Sequence, residues 1–282
     1  MKQQQQGILL IGSTGYLGRT LTKHLQRANH VIPTHRTKAR FDGSQHYDFW
    51  TDDVQALIQQ YQIDTIVVAA NMAYSPTSDF ALFQQRVKQL IQGCQQYRVI
   101  YISSDGIFGG EKGNYIESDI PTPITPYGRN LQYFEQMVQS LCSNYCIIRP
   151  SYLYGYSLSQ LDPRLTAAQT RLLAGERLTY FADMIKSPME VNQAAEAITL
   201  LTCSQYVGIV HVAGKAMSIY DFYREAMNSL KIPSTRLYPA QMPANSPHPR
   251  NTSLDINLMK KLTKIVPLSV YVALAQTEGS AL

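Results

Sequence analysis

The sequence predicts an α/β protein: a doubly wound parallel sheet followed by a smaller carboxy-terminal lobe. Three observations lead there. Short, wholly apolar runs alternate with amphipathic stretches through the first half of the chain, as in a parallel sheet covered by helices on both faces. A glycine-rich turn joins the first apolar run directly to the first helical stretch. Beyond Pro150 the alternation loosens, and a Pro-rich stretch appears at Pro233 to Pro249. The chain therefore divides into a sheet domain, 1–150, and a lobe, 151–282, that is not an independent domain and closes over a substrate.

The elements follow in order. Gly7 to Ile11 is an apolar run followed directly by glycine, a buried strand. Tyr16 to Arg27 has helical spacing at Leu17, Leu21 and Leu25. His30 to Thr34 is a strand, Val54 to Tyr61 a helix, and Thr65 to Ala70 an apolar strand. Phe80 to Tyr97 is a long amphipathic helix with Phe83, Val87, Leu90 and Ile91 on one side. Val99 to Ser103 is a strand, Tyr127 to Leu141 a helix, and Tyr145 to Arg149 a strand. In the lobe, Gly175 to Pro188 reads as an extended region and Val191 to Leu201 as a helix. Gly208 to Val212 reads as a strand, Ser218 to Leu230 as a helix, and the Pro-rich stretch as an irregular loop.

A chain of 282 residues suits one large α/β unit with an appended lobe. Its 45% hydrophobic and 16% charged residues are ordinary for a globular protein. The net charge of +5 is spread along the chain, which favours anionic small molecules and leaves no basic block for nucleic acid. Cys94, Cys142, Cys146 and Cys203 show neither CxxC spacing nor histidine partners, so they read as reduced thiols of a cytoplasmic protein, and no metal is expected. No run reaches the length of a membrane span. Met1 to Gln6 is polar and glutamine-rich, a lead-in to the first strand and not a signal peptide.

The glycine turn reads Gly12-Ser13-Thr14-Gly15-Tyr16-Leu17-Gly18. One glycine makes the turn, the middle one lets backbone N–H groups approach a pyrophosphate, and the last permits close helix packing. The helix amino end favours the negative charge. Cofactor contacts are therefore expected from Gly12, Thr14, Gly15, Tyr16, Leu17 and Gly18. A fold of this kind that selects NAD carries an acidic residue at the end of its second strand. Here that region is Thr34-His35-Arg36-Thr37-Lys38. Arg36 can pair with a 2′-phosphate, which favours NADP(H) over NAD(H), or it is a solvated surface charge. Asp48 and Phe49 stand where related folds contact adenine. Ala69, Ala70 and Asn71 end a strand beside the expected cofactor path, and small residues there also suit plain core packing. Ser103 ends the next strand and is likewise expected to contact the cofactor.

These segments resemble the extended short-chain dehydrogenases/reductases, within them the dTDP-4-dehydrorhamnose reductase family. The likeness is carried by Ser103-Ser104-Asp105-Gly106-Ile107-Phe108-Gly109-Gly110, Pro126-Tyr127-Gly128, Arg149-Pro150-Ser151-Tyr152-Leu153-Tyr154-Gly155, Ser187-Pro188 with the helix after it, and Pro249-Arg250-Asn251-Thr252-Ser253-Leu254-Asp255. The resemblance implies a Rossmann domain and NADPH-dependent reduction of a keto group on a nucleotide-linked sugar. It makes Tyr127 the proton donor and Ser104 the hydrogen-bond partner of the developing alkoxide. Substrate contacts would come from Asp105, Ser151, Tyr152, Lys186 and Arg250. Asp105 either contacts substrate or caps its turn. The helix of Tyr127 pairs across a dimer in related proteins, so a homodimer or a partner enzyme is expected.

Three positions depart from that family. Leu131 stands where it has lysine, one helical turn after Tyr127 and on the same face. A free tyrosine titrates at about 10, and bringing it to about 7 takes roughly 4 kcal/mol. Leucine supplies none of this. A protonated tyrosine still serves reduction, so the loss of lysine damages alcohol oxidation more than carbonyl reduction. Asn130 is placed to hydrogen-bond a ribose hydroxyl, and Lys112 and Lys186 lie in predicted loops near the site. Gly106 stands where the family has tyrosine and would leave room beside the substrate. His248 stands where it has arginine. Three functions therefore remain: a reductase, a non-catalytic NAD(P)-binding regulatory subunit, and a non-redox isomerase or lyase. Tyr152, Tyr154 and Tyr156 alternate around Gly155 as pocket-lining or packing residues, and His211 reads as a core histidine.

Overall fold

The computed structural model describes residues 6–73 and 79–276; most of the polar lead-in, residues 1–5, lies outside them. Six strands come from the first 150 residues: β1 (Gly7–Ile11), β2 (His30–His35), β3 (Gln45–His46), β4 (Thr65–Val68), β5 (Arg98–Ile102) and β6 (Tyr145–Pro150). Gly208–Val212 is the seventh strand of the same sheet. The order is Gly208–Val212, β6, β5, β4, β1, β2, β3, and every pairing is parallel. The chain runs outward from β1 through β2 and β3, then restarts at β4 on the other side of β1. That reversal opens a crevice at the carboxyl ends of β1 and β4, where such sheets bind ligands.

The helices are α1 (Tyr16–Leu25), α2 (Val54–Tyr61), α3 (Phe80–Cys94), α4 (Pro126–Leu141), α5 (Pro163–Leu173), α6 (Val191–Thr202), α7 (Ile219–Ser229), α8 (Asn257–Thr263) and α9 (Val270–Gln276). On one face of the sheet, α1 packs against α6, whose Ala194, Ala195 and Ala197 let the two approach closely over Ile8, Leu10 and Ile100. On the other face, α3 and α4 cover Leu9, Ile66, Val99 and Ile147 with Phe83, Val87, Phe134 and Val138. A third core fills the lobe, built from Leu165, Phe222, Met227, Leu237 and Leu274.

The expected strands and long helices form, with modest changes at their ends. The first helix stops at Leu25 and the third at Cys94. The Tyr127 helix starts one residue early, because Pro126 occupies its first position and the Thr125 hydroxyl accepts the Gly128 N–H at 3.0 Å. The lobe holds more regular structure than its pattern suggests. The Pro-rich stretch contains a strand, Leu237–Ala240, paired parallel with Leu178–Phe181. Proline is tolerated there because the pair has only two strands. Helix α5 adds to the expected elements, started by Asp162 before Pro163.

The four cysteines are free thiols, with Cys94, Cys142 and Cys146 buried and Cys203 exposed. Among the described residues no helix is long and apolar enough to cross a membrane, and no cluster of His, Cys, Asp and Glu is placed to hold a metal. Tyr154 is fully buried in the lobe core beside Phe222, a packing residue, whereas Tyr152 reaches the crevice. His211 is fully buried.

Candidate active site

A cavity of ≈ 1500 Å³ occupies the crevice. Its floor is formed by the strand ends: Ala69 and Ala70 after β4, and Ser103 and Ser104 after β5. Tyr127 and Leu131 enter from α4, Tyr152 and Lys186 from the lobe, and residues 246–249 lie at its mouth.

Tyr16 and Leu17 of the glycine turn line one side of the cavity, while Gly12, Thr14, Gly15 and Gly18 lie outside its lining. Gly12 has φ +94°, and a Cβ there would stand 2.5 Å from the Ala70 nitrogen. A Cβ on Gly18 would stand 2.0 Å from the Gly12 carbonyl oxygen, so this residue must be glycine for α1 to leave the turn. Gly15 differs: a Cβ there would meet only the Gly12 oxygen, at 3.6 Å. Packing does not require that glycine, so the space above it is available to a ligand. The turn is pinned to β2, since Gly12 N–H donates to Thr34 Oγ1 at 3.2 Å and Ser13 Oγ donates to the Thr34 carbonyl at 2.7 Å. No side chain caps the amino end of α1, so its first N–H groups are left for an external acceptor. Ser103 Oγ is buried in the cavity wall with no hydrogen-bond partner. The open face of Gly15, the uncapped helix and this serine together fit an anionic dinucleotide.

The other expected cofactor contacts divide. Tyr16, Leu17, Ala69, Ala70, Asn71, Ser103 and Asn130 line the cavity. Tyr16 hydroxyl donates to the Gly155 carbonyl at 2.9 Å, tying α1 to the lobe, and burial pushes its pKa up. Asn130 donates to the Ala73 carbonyl at 2.9 Å, so its amide N–H braces the segment after β4. Thr14 lies in the turn itself. Arg36 is exposed beyond the end of β2 and outside the cavity lining. Asp48 also lies outside it, accepting the Trp50 N–H at 3.0 Å, and Phe49 is buried against Trp50 and Phe83.

Tyr127 and Ser104 meet across Gly106. A Cβ at Gly106 would stand 3.0 Å from Tyr127 Cε1 and 3.6 Å from Ser104 Oγ. The room that glycine was expected to leave for substrate is thus occupied by the Tyr127 ring. Gly128 allows this: a Cβ there would lie 2.3 Å from the Gly106 carbonyl oxygen, so only glycine lets α4 sit so close to the turn after β5. Leu131 is 2% exposed and belongs to the sheet core, with one edge on the cavity.

Asp105 is a buried junction. Its Oδ1 accepts from Ser104 Oγ at 3.0 Å. Its Oδ2 accepts from Lys186 Nζ at 2.9 Å, from Ser151 Oγ at 3.1 Å and from the Thr252 hydroxyl. The carboxylate thus joins β5 to three segments of the lobe. Thr252 carried no signal of its own beyond the motif containing it. Arg250 was expected at the substrate but lies outside the cavity lining, pairing with Asp183 and donating to the Met242 and Pro243 carbonyls. Lys112 pairs with Asp119 at 2.6 Å on the surface. His248 stands at the mouth, and Arg164, from α5, lies 3.9 Å over the Tyr152 ring.

Fold and cleft define an α/β protein of the doubly wound class, with a tyrosine and a serine close together beyond the carboxyl end of β5. The RmlD substrate binding domain family model matches residues 6–277, and the chain belongs to that family of extended short-chain dehydrogenases/reductases. It is 26% identical to a probable low-salt glycan biosynthesis reductase of Haloferax volcanii, over 87% of this chain and 88% of that one. It is 26% identical to a dTDP-4-dehydrorhamnose reductase of Aggregatibacter actinomycetemcomitans, over 92% and 94%. It is 25% identical to the methionine adenosyltransferase 2 subunit beta of Rattus norvegicus, over 90% and 82%. The crystal structure of a hypothetical dTDP-4-dehydrorhamnose reductase from Sulfolobus tokodaii superposes with a TM-score of 0.79 at 24% identity, covering 94% of this chain and 98% of that one.

Proposed function

We propose that the protein is a cytoplasmic NADP-dependent reductase of a keto group on a nucleotide-linked sugar. The observation that carries this reading is the meeting of Tyr127 and Ser104 across Gly106 in the cavity that Tyr16 and Leu17 of the glycine turn also line. A bound nicotinamide dinucleotide would supply the hydride. The turn from Gly12 to Gly18 would hold its pyrophosphate, and Ser103 would offer its unpartnered hydroxyl. Tyr127 gives its phenolic proton to the carbonyl oxygen as that oxygen gains charge. Ser104 turns its O–H from Asp105 to the same oxygen and holds it. With leucine at 131, tyrosine in its protonated form suits this direction. In this reading the division at residue 150 separates the part that holds the cofactor from the part that contacts the sugar.

The cofactor choice is tested at Arg36. Arg36→Ala should weaken NADPH binding at least about tenfold, the loss of one charge-assisted contact, and leave NADH binding unchanged in calorimetric titration. Equal losses for the two would remove Arg36 from the 2′-phosphate.

Leu131 favours a second reading, a subunit that keeps the fold and binds the dinucleotide without turnover, and one relative is itself named a subunit. Leu131→Lys separates the two. If the missing cation alone limits the site, NADPH consumption with dTDP-4-dehydrorhamnose rises about tenfold or more, because a longer side chain at 131 emerges into the cavity. A silent wild type and an equally silent variant would favour the subunit.

A further inference from the structure

We propose that Lys186 is the positioning cation of this site, delivered from the lobe instead of from α4, and that it holds Asp105 and through it the Ser104 hydroxyl. Its effect on turnover rests on the reductase reading above; its hold on Asp105 does not. Lys186 is the lysine that the structure brings to the cavity among the described residues. Its ammonium donates to Asp105 Oδ2 at 2.9 Å and to Thr252 Oγ1 at 2.8 Å, with its side chain 18% exposed.

The backbone leaves the lysine little freedom. Ile185–Lys186 pairs antiparallel with Met217–Ser218. Ile185 N–H donates to the Arg250 carbonyl at 2.8 Å, and Thr252 N–H donates to the Ile185 carbonyl at 3.1 Å, so Lys186 and Thr252 arrive together. Ser187 N–H then donates to Ser151 Oγ at 3.1 Å, which fixes the third donor to the same carboxylate oxygen.

The electrostatic need is specific. Asp105 is 5% exposed and adjacent in sequence to Ser104. An uncompensated carboxylate in that position would oppose negative charge growing on a substrate oxygen beside Ser104. It would also retain the Ser104 proton as a strong acceptor. With Lys186, Ser151 and Thr252 on Oδ2, Asp105 is a weaker acceptor at Oδ1, and Ser104 is freer to turn its O–H to the substrate.

The test combines kinetics and crystal structures of Lys186→Met and Lys186→Arg. With dTDP-4-dehydrorhamnose and NADPH, the Met variant should lose roughly 10- to 100-fold in kcat with KM within about threefold, and the Arg variant should recover most of the loss. NADPH affinity should not change. A Met variant with wild-type kcat, or an Arg variant no better than Met, overturns the role. If wild type itself consumes no NADPH with this substrate, that failure counts against the choice of sugar or the reductase reading and not against the hold of Lys186 on Asp105, and the crystal structures decide the proposal alone. The Asp105 carboxylate should then swing off Ser151 and Thr252 in the Met variant, breaking the bond to Ser104, and stay in place in the Arg variant. An unmoved Asp105 and Ser104 in the Met variant overturns it. Should the Met variant fail to fold, Lys186→Gln, which keeps a donor but no charge, is read the same way.

Discussion

Tyr127→Phe is expected to lower NADPH-dependent turnover of a keto sugar by about 10²- to 10⁴-fold, the range for removing a general acid. NADPH binding should survive. The phenyl ring keeps its place against Gly106, and Gly128 still seats α4 on the turn after β5. Only the hydroxyl that gives the proton is lost. Stopped-flow measurement of NADPH oxidation and calorimetric titration on the same preparation separate chemistry from binding. A Phe variant that turns over like wild type would end the role of Tyr127 and, with it, the reductase mechanism.

Arg149→Met is expected to destabilise the protein by about 3–5 kcal/mol, the largest stability loss we anticipate. Arg149 forms a two-pronged ion pair with Glu135 of α4, at 3.0 and 2.6 Å, with both side chains almost fully buried. Its guanidinium also lies 5.3 Å over the Phe108 ring. Removing it leaves the Glu135 charge without compensation under the sheet. Urea unfolding should show the loss, and a double variant, Arg149→Met with Glu135→Leu, should regain much of it. A single variant as stable as wild type would show that the pair carries no weight. The neighbouring His211 sharpens this picture. Burial and the adjacent Arg149 push its pKa down to about 4. Between about pH 6.5 and 4 the unfolded chain takes up a proton at His211 that the folded one refuses, so this residue removes stability as the pH falls through that window.

These two residues also show what was legible. Arg149 belongs to a segment that marked the family in the sequence, yet the structure gives it a load in the core and no place in the cavity lining. The places of Tyr127 and Ser104 in the fold were readable because each sits at the end of a local pattern: a proline-started helix and an apolar strand. Helix α2 and the strand Gly208–Val212 fell at their expected bounds, since a sharp change of composition marks both ends. Helices α8 and α9 are seven residues each, too short for a period to stand out. The strand Leu237–Ala240 lay hidden among prolines, because its stability comes from its pairing with Leu178–Phe181 and from the lobe core.

By itself the sequence determined the doubly wound sheet, the glycine turn after its first strand, the tyrosine at the start of its helix and the serine after its strand, and the leucine four residues after that tyrosine. All are local: apolar runs, turn glycines and residues four apart on one helix. Tertiary structure alone decided where a cation comes from. Lys186 lies 81 residues from Asp105 in the chain, and Thr252 lies 147 residues from it. Their meeting depends on how the lobe folds back over the strand ends, which no spacing along the chain encodes. It also decided that Arg250 turns to Asp183 and that the Tyr127 ring fills the space beside Gly106, because both follow from competition between neighbours brought together only by packing.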